Sequence, residues 1–160
     1  MNTLRTMLSL ILLAVLPAAC GSPDRGETGE GTSRELPEGQ ISVTGAWARP
    51  AAQGMTGGAY LTLHNRTAAD DTLTGASASA ASRADLHRSV NNGSLSGMRP
   101  AGPLAIPAGD SLPLAPGGYH LMFMRMERST EPGDTLGLEL HFASGDTLLV
   151  RLPVKLSGDS

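Results

Sequence analysis

"TLGLELHFASGDTLLVRLPV", residues 135–154, is the stretch on which the fold turns. Leu136, Leu138, Leu140 and Phe142 recur at every second position, and so do Leu148, Val150, Leu152 and Val154. A period of two marks strands with one buried face. The residues between them, Ala143-Ser144-Gly145-Asp146, are turn formers, so the stretch predicts a β-hairpin. Toward the N-terminus "AYLTLHN" (59–65) repeats the pattern with Ala59, Leu61 and Leu63, and "ISVTGAW" (41–47) with Ile41, Val43 and Trp47 on one face. Glycine, proline, asparagine and aspartate punctuate the remainder, and no segment sustains a helical period. The expectation is a single all-β domain of about seven to nine strands, closed as a Greek-key sandwich or small barrel.

The N-terminus is of another kind. "MNTLRTMLSLILLAVLPAAC" has a basic start ending at Arg5, an apolar run from Met7 to Leu16, and then small residues. This predicts a secretory signal peptide over residues 1–19. Its apolar run falls short of the about 20 residues that a permanent membrane span needs. Leu16-Pro17-Ala18-Ala19-Cys20 resembles a bacterial lipobox, in which Cys20 is lipidated and becomes the first mature residue. Pro17 stands where leucine is usual, which leaves ordinary cleavage and release as the alternative. After Cys20, residues up to 40 carry glycine, proline and charge with almost nothing apolar, as a disordered tether would. Residues 20–40 are thus read as lipidated cysteine and tether, 41–156 as the β domain and 157–160 as a tail.

Composition removes several classes of function. Cys20 is the only cysteine, so one chain has neither a disulfide nor dithiol chemistry, and an exported domain must rest on its apolar core. A net charge of −3 and a few scattered aromatic residues (Trp47, Tyr60, Tyr119, Phe123 and Phe142) give no nucleic-acid platform. No nucleophile–base set, phosphate loop or carboxylate-rich motif is present, which argues against an enzyme.

The chemistry gathers in "PGGYHLMFMRM", residues 116–126, where His120, Met122, Met124 and Met126 fall on alternate positions. Such a stripe is either packed core, since methionine fills irregular gaps, or a row of ligands. Strand parity sorts the other histidines. His64 and His141 lie opposite the apolar leucines of their segments, as solvent-facing residues would. His87 precedes Asn92-Gly93, a strong hairpin signal. A two-residue turn there would set His87 directly opposite Met98, on one face, with Val90 and Leu95 on the other. His120 and Met122 also share a face, while Leu121 and Phe123 point the other way and supply packing. Brought together, the two pairs would offer two imidazoles and two thioethers. Neutral soft sulfur suits Cu(I), thioether is foreign to zinc sites, and a blue-copper centre would need a cysteine thiolate.

The spacing His87-x10-Met98-x21-His120-x-Met122 resembles the signature of the PCu(A)C family of periplasmic copper chaperones. The likeness extends to "GAWARP" (45–50), "AYLTLHN" (59–65), "DLH" (85–87), "IPAG" (106–109) and "PGGYHLMFM" (116–124). It implies a monomeric cupredoxin-like β-barrel that carries one Cu(I) near its surface through His87, Met98, His120 and Met122. It also implies an exposed, apolar-flanked site and delivery to the binuclear copper centre of a haem-copper oxidase subunit, directly or through an assembly factor. Arg88 stands where members often have methionine, and the His/Met-rich tail of some members is missing after Lys155. One site is therefore expected, with Met124 and Met55 as candidate auxiliary contacts and Met126 below them. The rival reading is a metal-free lipoprotein that uses the same β-fold as a docking scaffold.

Overall fold

A computed structural model describes residues 39–91, 93 and 96–157. The signal segment, Cys20, all but the end of the tether and the last three residues lie outside them. Ten strands form one sheet: β1 (Ile41–Ala48), β2 (Gly57–Asn65), β3 (Asp71–Ala78), β4 (Ala81–Asn91), β5 (Ser96–Pro100), β6 (Leu104–Ile106), β7 (Ser111–Leu114), β8 (Tyr119–Met126), β9 (Thr135–Phe142) and β10 (Thr147–Pro153). The order is β1-β2-β8-β4-β3-β9-β10, with β5 on β4, β6 on β3 and β7 on β2. At the far ends Ala48 bridges Val154, and the Lys155 N–H donates to the Ala48 carbonyl at 2.9 Å, so the sheet curls into a nearly closed barrel. The described residues contain no helix. The three short strands β5, β6 and β7 account for a strand count above expectation.

The period-two segments behave as read. Leu136, Leu138, Leu140 and Phe142 face inward with Val150, Leu152 and Val154, and Ala143–Asp146 forms the turn between β9 and β10. Ala59, Leu61 and Leu63 of β2 and Leu121 and Phe123 of β8 meet them in a continuous core. Each such leucine or phenylalanine stabilises the barrel by about 1.5–3 kcal/mol over its exposed state. Among the described residues, the core cluster runs from Ala48 to Val154. Asn65 and Asp71 brace the rim. Buried Asn65 donates to the carbonyls of Ala69 and Ile106 at 2.9 and 2.8 Å. Asp71 accepts from the Thr72 N–H at 2.7 Å and the Ser144 hydroxyl at 2.8 Å.

Three local features depart from simple alternation. The first is in β1, where a one-residue bulge between Thr44 and Trp47 shifts the register on β2, with Gly45 at φ 60°. Val43 pairs with inward Leu63, but Trp47 pairs with Tyr60 on the outer face instead of sharing the face of Ile41 and Val43. A one-residue slip inverts every later side chain, and glycine tolerates the left-handed turn that makes the slip. The second is the β4–β5 hairpin, in which Asn91 pairs with Ser96 instead of the expected Ser94. His87 therefore opposes Pro100, and Met98 opposes Ser89. The slip is two residues, so His87 and Met98 keep a common face while losing direct opposition. The third is Arg125, whose φ of 51° breaks the alternation of β8 and sends Met126 into the core.

Candidate metal centre

The site is built on the outer face of β8 and β4, the central pair of the sheet. Their register sets His87 directly opposite His120 and Asp85 opposite Met122. The two imidazole rings lie 6.2 Å apart between centroids, tilted by 31°. Each ring is fastened to its own strand. The His120 Nδ1 lies 3.0 Å from the Gly118 carbonyl, and the His87 Nδ1 lies at 3.4 Å, a longer contact, from that of Asp85. A carbonyl can only accept, so Nδ1 carries the proton and Nε2 is left with a free lone pair. The His120 ring is 3% exposed and its Nε2 has no hydrogen-bond partner. A buried polar atom without a partner costs about 1–3 kcal/mol, a penalty that a bound cation would remove.

Met122, Met98 and His120 line one groove of about 540 Å3 together with Gly58, Tyr60 and Leu156. Met98 is 60% exposed on β5, and Met122 is half-buried. Gly58 opposes Met122 across β2, and a Cβ there would stand 3.3 Å from the Tyr60 hydroxyl. The missing side chain keeps the groove floor open and lets the phenol lie along it. His87 opens instead into the neighbouring groove, with Asp85, Pro100 and Met124. The structure thus gathers His120, Met122 and Met98 around one opening and leaves His87 in the adjacent one, its ring facing that of His120. Among the described residues, no three His, Cys, Asp or Glu side chains are assembled as a metal cluster. The donors that do converge are imidazole nitrogen and thioether sulfur, a set that fits a soft cation.

Tyr60 and Trp47 support His120 from the β2 side, with centroid separations of 4.7 Å between the two aromatic rings and 6.3 Å from Tyr60 to His120. This support was not read from the sequence. The parity that put Tyr60 opposite Leu61 already placed it on the outer face, but the bulge that brings Trp47 beside it has no signal beyond Gly45. Met124 lies outside the first groove, Met126 is packing, and exposed Met55 accepts the Met126 N–H through its carbonyl at 2.9 Å. His64 is held between the Thr44 and Ser111 hydroxyls at 2.8 and 2.7 Å, tying β1, β2 and β7 together. It is a clamp, not a free surface residue. Arg49 borders the groove, whereas Arg88 and Arg99, paired across the β4–β5 hairpin one position after His87 and Met98, fall by parity on the other face.

A family model described as "Putative lipoprotein LpqE-like" matches residues 41–154, the whole span of the barrel. The chain belongs to the LpqE-like family. This LpqE-like chain is also 34% identical, over 141 residues, to "Putative lipoprotein Lxx21020" of Leifsonia xyli subsp. xyli (strain CTCB07), covering 88% of its own length and 78% of that protein. Among solved structures it is similar to the apo PCuAC domain from PmoF1, with a TM-score of 0.62, 22% identity and coverage of 76% and 98% of the two chains. It is similar as well to CuI-DR1885 from Deinococcus radiodurans, with a TM-score of 0.57, 29% identity and coverage of 81% and 86%. The LpqE-like barrel is therefore cupredoxin-like, and the expected likeness to PCu(A)C proteins holds for the fold.

Proposed function

We propose that this protein is an exported, membrane-anchored copper chaperone that carries one Cu(I) on His87, Met98, His120 and Met122. The observation that carries the reading is the buried, unpartnered Nε2 of His120, a residue that stands opposite His87 and lines one groove with Met122 and Met98. The likeness to CuI-DR1885 supports the metal and its oxidation state. The lipoprotein names of the family and of the Leifsonia relative support anchoring through Cys20.

Copper is cargo here. Two imidazoles and two thioethers hold Cu(I) without charge and favour it over Cu(II). A site with one ligand 60% exposed can give up its ligands one at a time to an incoming acceptor. Arg49, at the edge of the groove, would favour an acidic acceptor face at the opening. The recipient in this reading is the binuclear copper centre of a haem-copper oxidase subunit, reached directly or through an assembly factor.

The test is anaerobic titration of residues 21–160, which include the whole barrel, with Cu(I) against a chromogenic chelator. One tight equivalent is expected, and it should disappear in Met98→Leu/Met122→Leu. A wild-type chain that binds no more tightly than this variant would leave the metal-free docking scaffold as the function. Cell fractionation of Cys20→Ser tests the anchor, with movement from membrane to soluble fraction as the expected result.

A further inference from the structure

The proposed ligands are all neutral, yet the block of side chains at the centre of the site contains a carboxylate. On the outer face of β4 and β8, His87 opposes His120 and Asp85 opposes Met122, so four side chains form a two-by-two array. Directly opposed Cβ atoms in such an array are about 5 Å apart and diagonal ones about 7 Å. Asp85 belongs to this array by register, whereas Met98 reaches it from the next strand, opposite Ser89. The Asp85 carboxylate is turned along its own strand, where its Oδ2 accepts from the Arg83 Nε at 2.7 Å. Its Oδ1 accepts no hydrogen bond among the described residues. The Arg83 side chain is 68% exposed and that of Asp85 28%. An ion pair this open to water is weak and easily exchanged.

We propose that Asp85 is an oxidation-state-selective donor, which joins His87 and His120 to hold Cu(II) on the same face that holds Cu(I). The inference rests on the proposed function in one respect, that the two histidines bind copper. Carboxylate and imidazole suit Cu(II), whereas the thioethers of Met98 and Met122 suit Cu(I). The buried, unpartnered Nε2 of His120 serves both sets. With Asp85 on Arg83 the three N and O donors are not yet gathered into a cluster. Cu(II) must draw the carboxylate across the array, releasing Arg83 to water. The chain would then hold copper of either oxidation state on one face, through His87 and His120 in common.

The experiment measures both ions on residues 21–160: Cu(II) by competition with glycine and by electron paramagnetic resonance, and Cu(I) by the anaerobic chelator titration. Asp85→Asn should weaken Cu(II) by about tenfold or more and leave Cu(I) within about threefold. Met98→Leu/Met122→Leu should do the reverse, and Arg83→Gln, which frees the carboxylate, should tighten Cu(II). Loss of both ions together in Asp85→Asn, or of neither, overturns the proposal, as does unchanged or weaker Cu(II) binding in Arg83→Gln. Wild-type binding of Cu(I) without Cu(II) sinks this inference and spares the chaperone reading. Binding of Cu(II) alone, lost in Asp85→Asn, does the opposite.

Discussion

Neighbouring residues of β8 should separate stability from metal binding. Phe123 is buried in the barrel core, and Met122, one position earlier, lies half-buried on the outer face. Phe123→Ala leaves a cavity in a close-packed interior and should cost about 3–5 kcal/mol. At roughly 4 °C per kcal/mol for a domain of this size, the melting temperature should fall by about 12–20 °C. Met122→Leu conserves volume at a site with room to adjust, so it should cost less than about 1.5 kcal/mol. It removes a thioether, however, and should lower Cu(I) affinity by about tenfold or more, equivalent to about 1.4 kcal/mol of binding energy. Calorimetry and the chelator titration, run on both variants below their melting points, give four numbers. If Met122→Leu destabilises the fold as much as Phe123→Ala, or if folded Phe123→Ala loses copper and Met122→Leu keeps it, the parity argument for the site is wrong.

Other expectations follow from the clamp, the rim and the aromatic wall. Thr44→Val and Ser111→Ala each remove one hydrogen bond to His64 and should cost about 0.5–1.5 kcal/mol in denaturant titrations, with copper uptake unchanged. Burial works against ionisation of Asp71, but hydrogen bonds from Thr72, Ser144 and Ala143 outweigh it and hold its carboxyl below the ordinary 3.8. Its contribution is therefore present above pH 3.8 and lost as pH falls through the lower folded-state value, so the stability gap between wild type and Asp71→Asn should close on acidification in that range. Tyr60→Leu removes the ring between Trp47 and His120. It should weaken Cu(I) severalfold and alter the fluorescence of Trp47, the only tryptophan in the chain.

Much of this architecture was legible because alternation is a local property. The leucines of β9, the inward residues of β2 and the opposition of Leu121 and Phe123 to His120 and Met122 follow from counting by two. What failed to show is whatever depends on a turn or on another strand. Asn92-Gly93 suggested a tight turn, but the strands pair only from Asn91 and Ser96 outward, and the two-residue slip left the shared face of His87 and Met98 intact. Direct pairing of His87 with His120 needed the order of strands, since β4 and β8 are not sequential neighbours. The same holds for Asp85, whose place opposite Met122 is invisible until that register is known. Arg125 gave no warning, because a left-handed arginine has no compositional mark.

The bulge at Gly45 gives β1 two independent phases. Ahead of it, the strand takes its alternation from the barrel interior. Beyond it, Trp47 keeps time with the outer face, against Tyr60. A deletion at Ala46 would restore a single rhythm and carry the indole from its place beside Tyr60 toward the core, although no proposed ligand had been touched. Insertions and deletions there should thus be felt first at Tyr60 and the ring of His120 beyond it, while substitutions on the N-terminal half of the strand are felt as lost stability. One glycine works as a gearbox between the two faces that share a single strand.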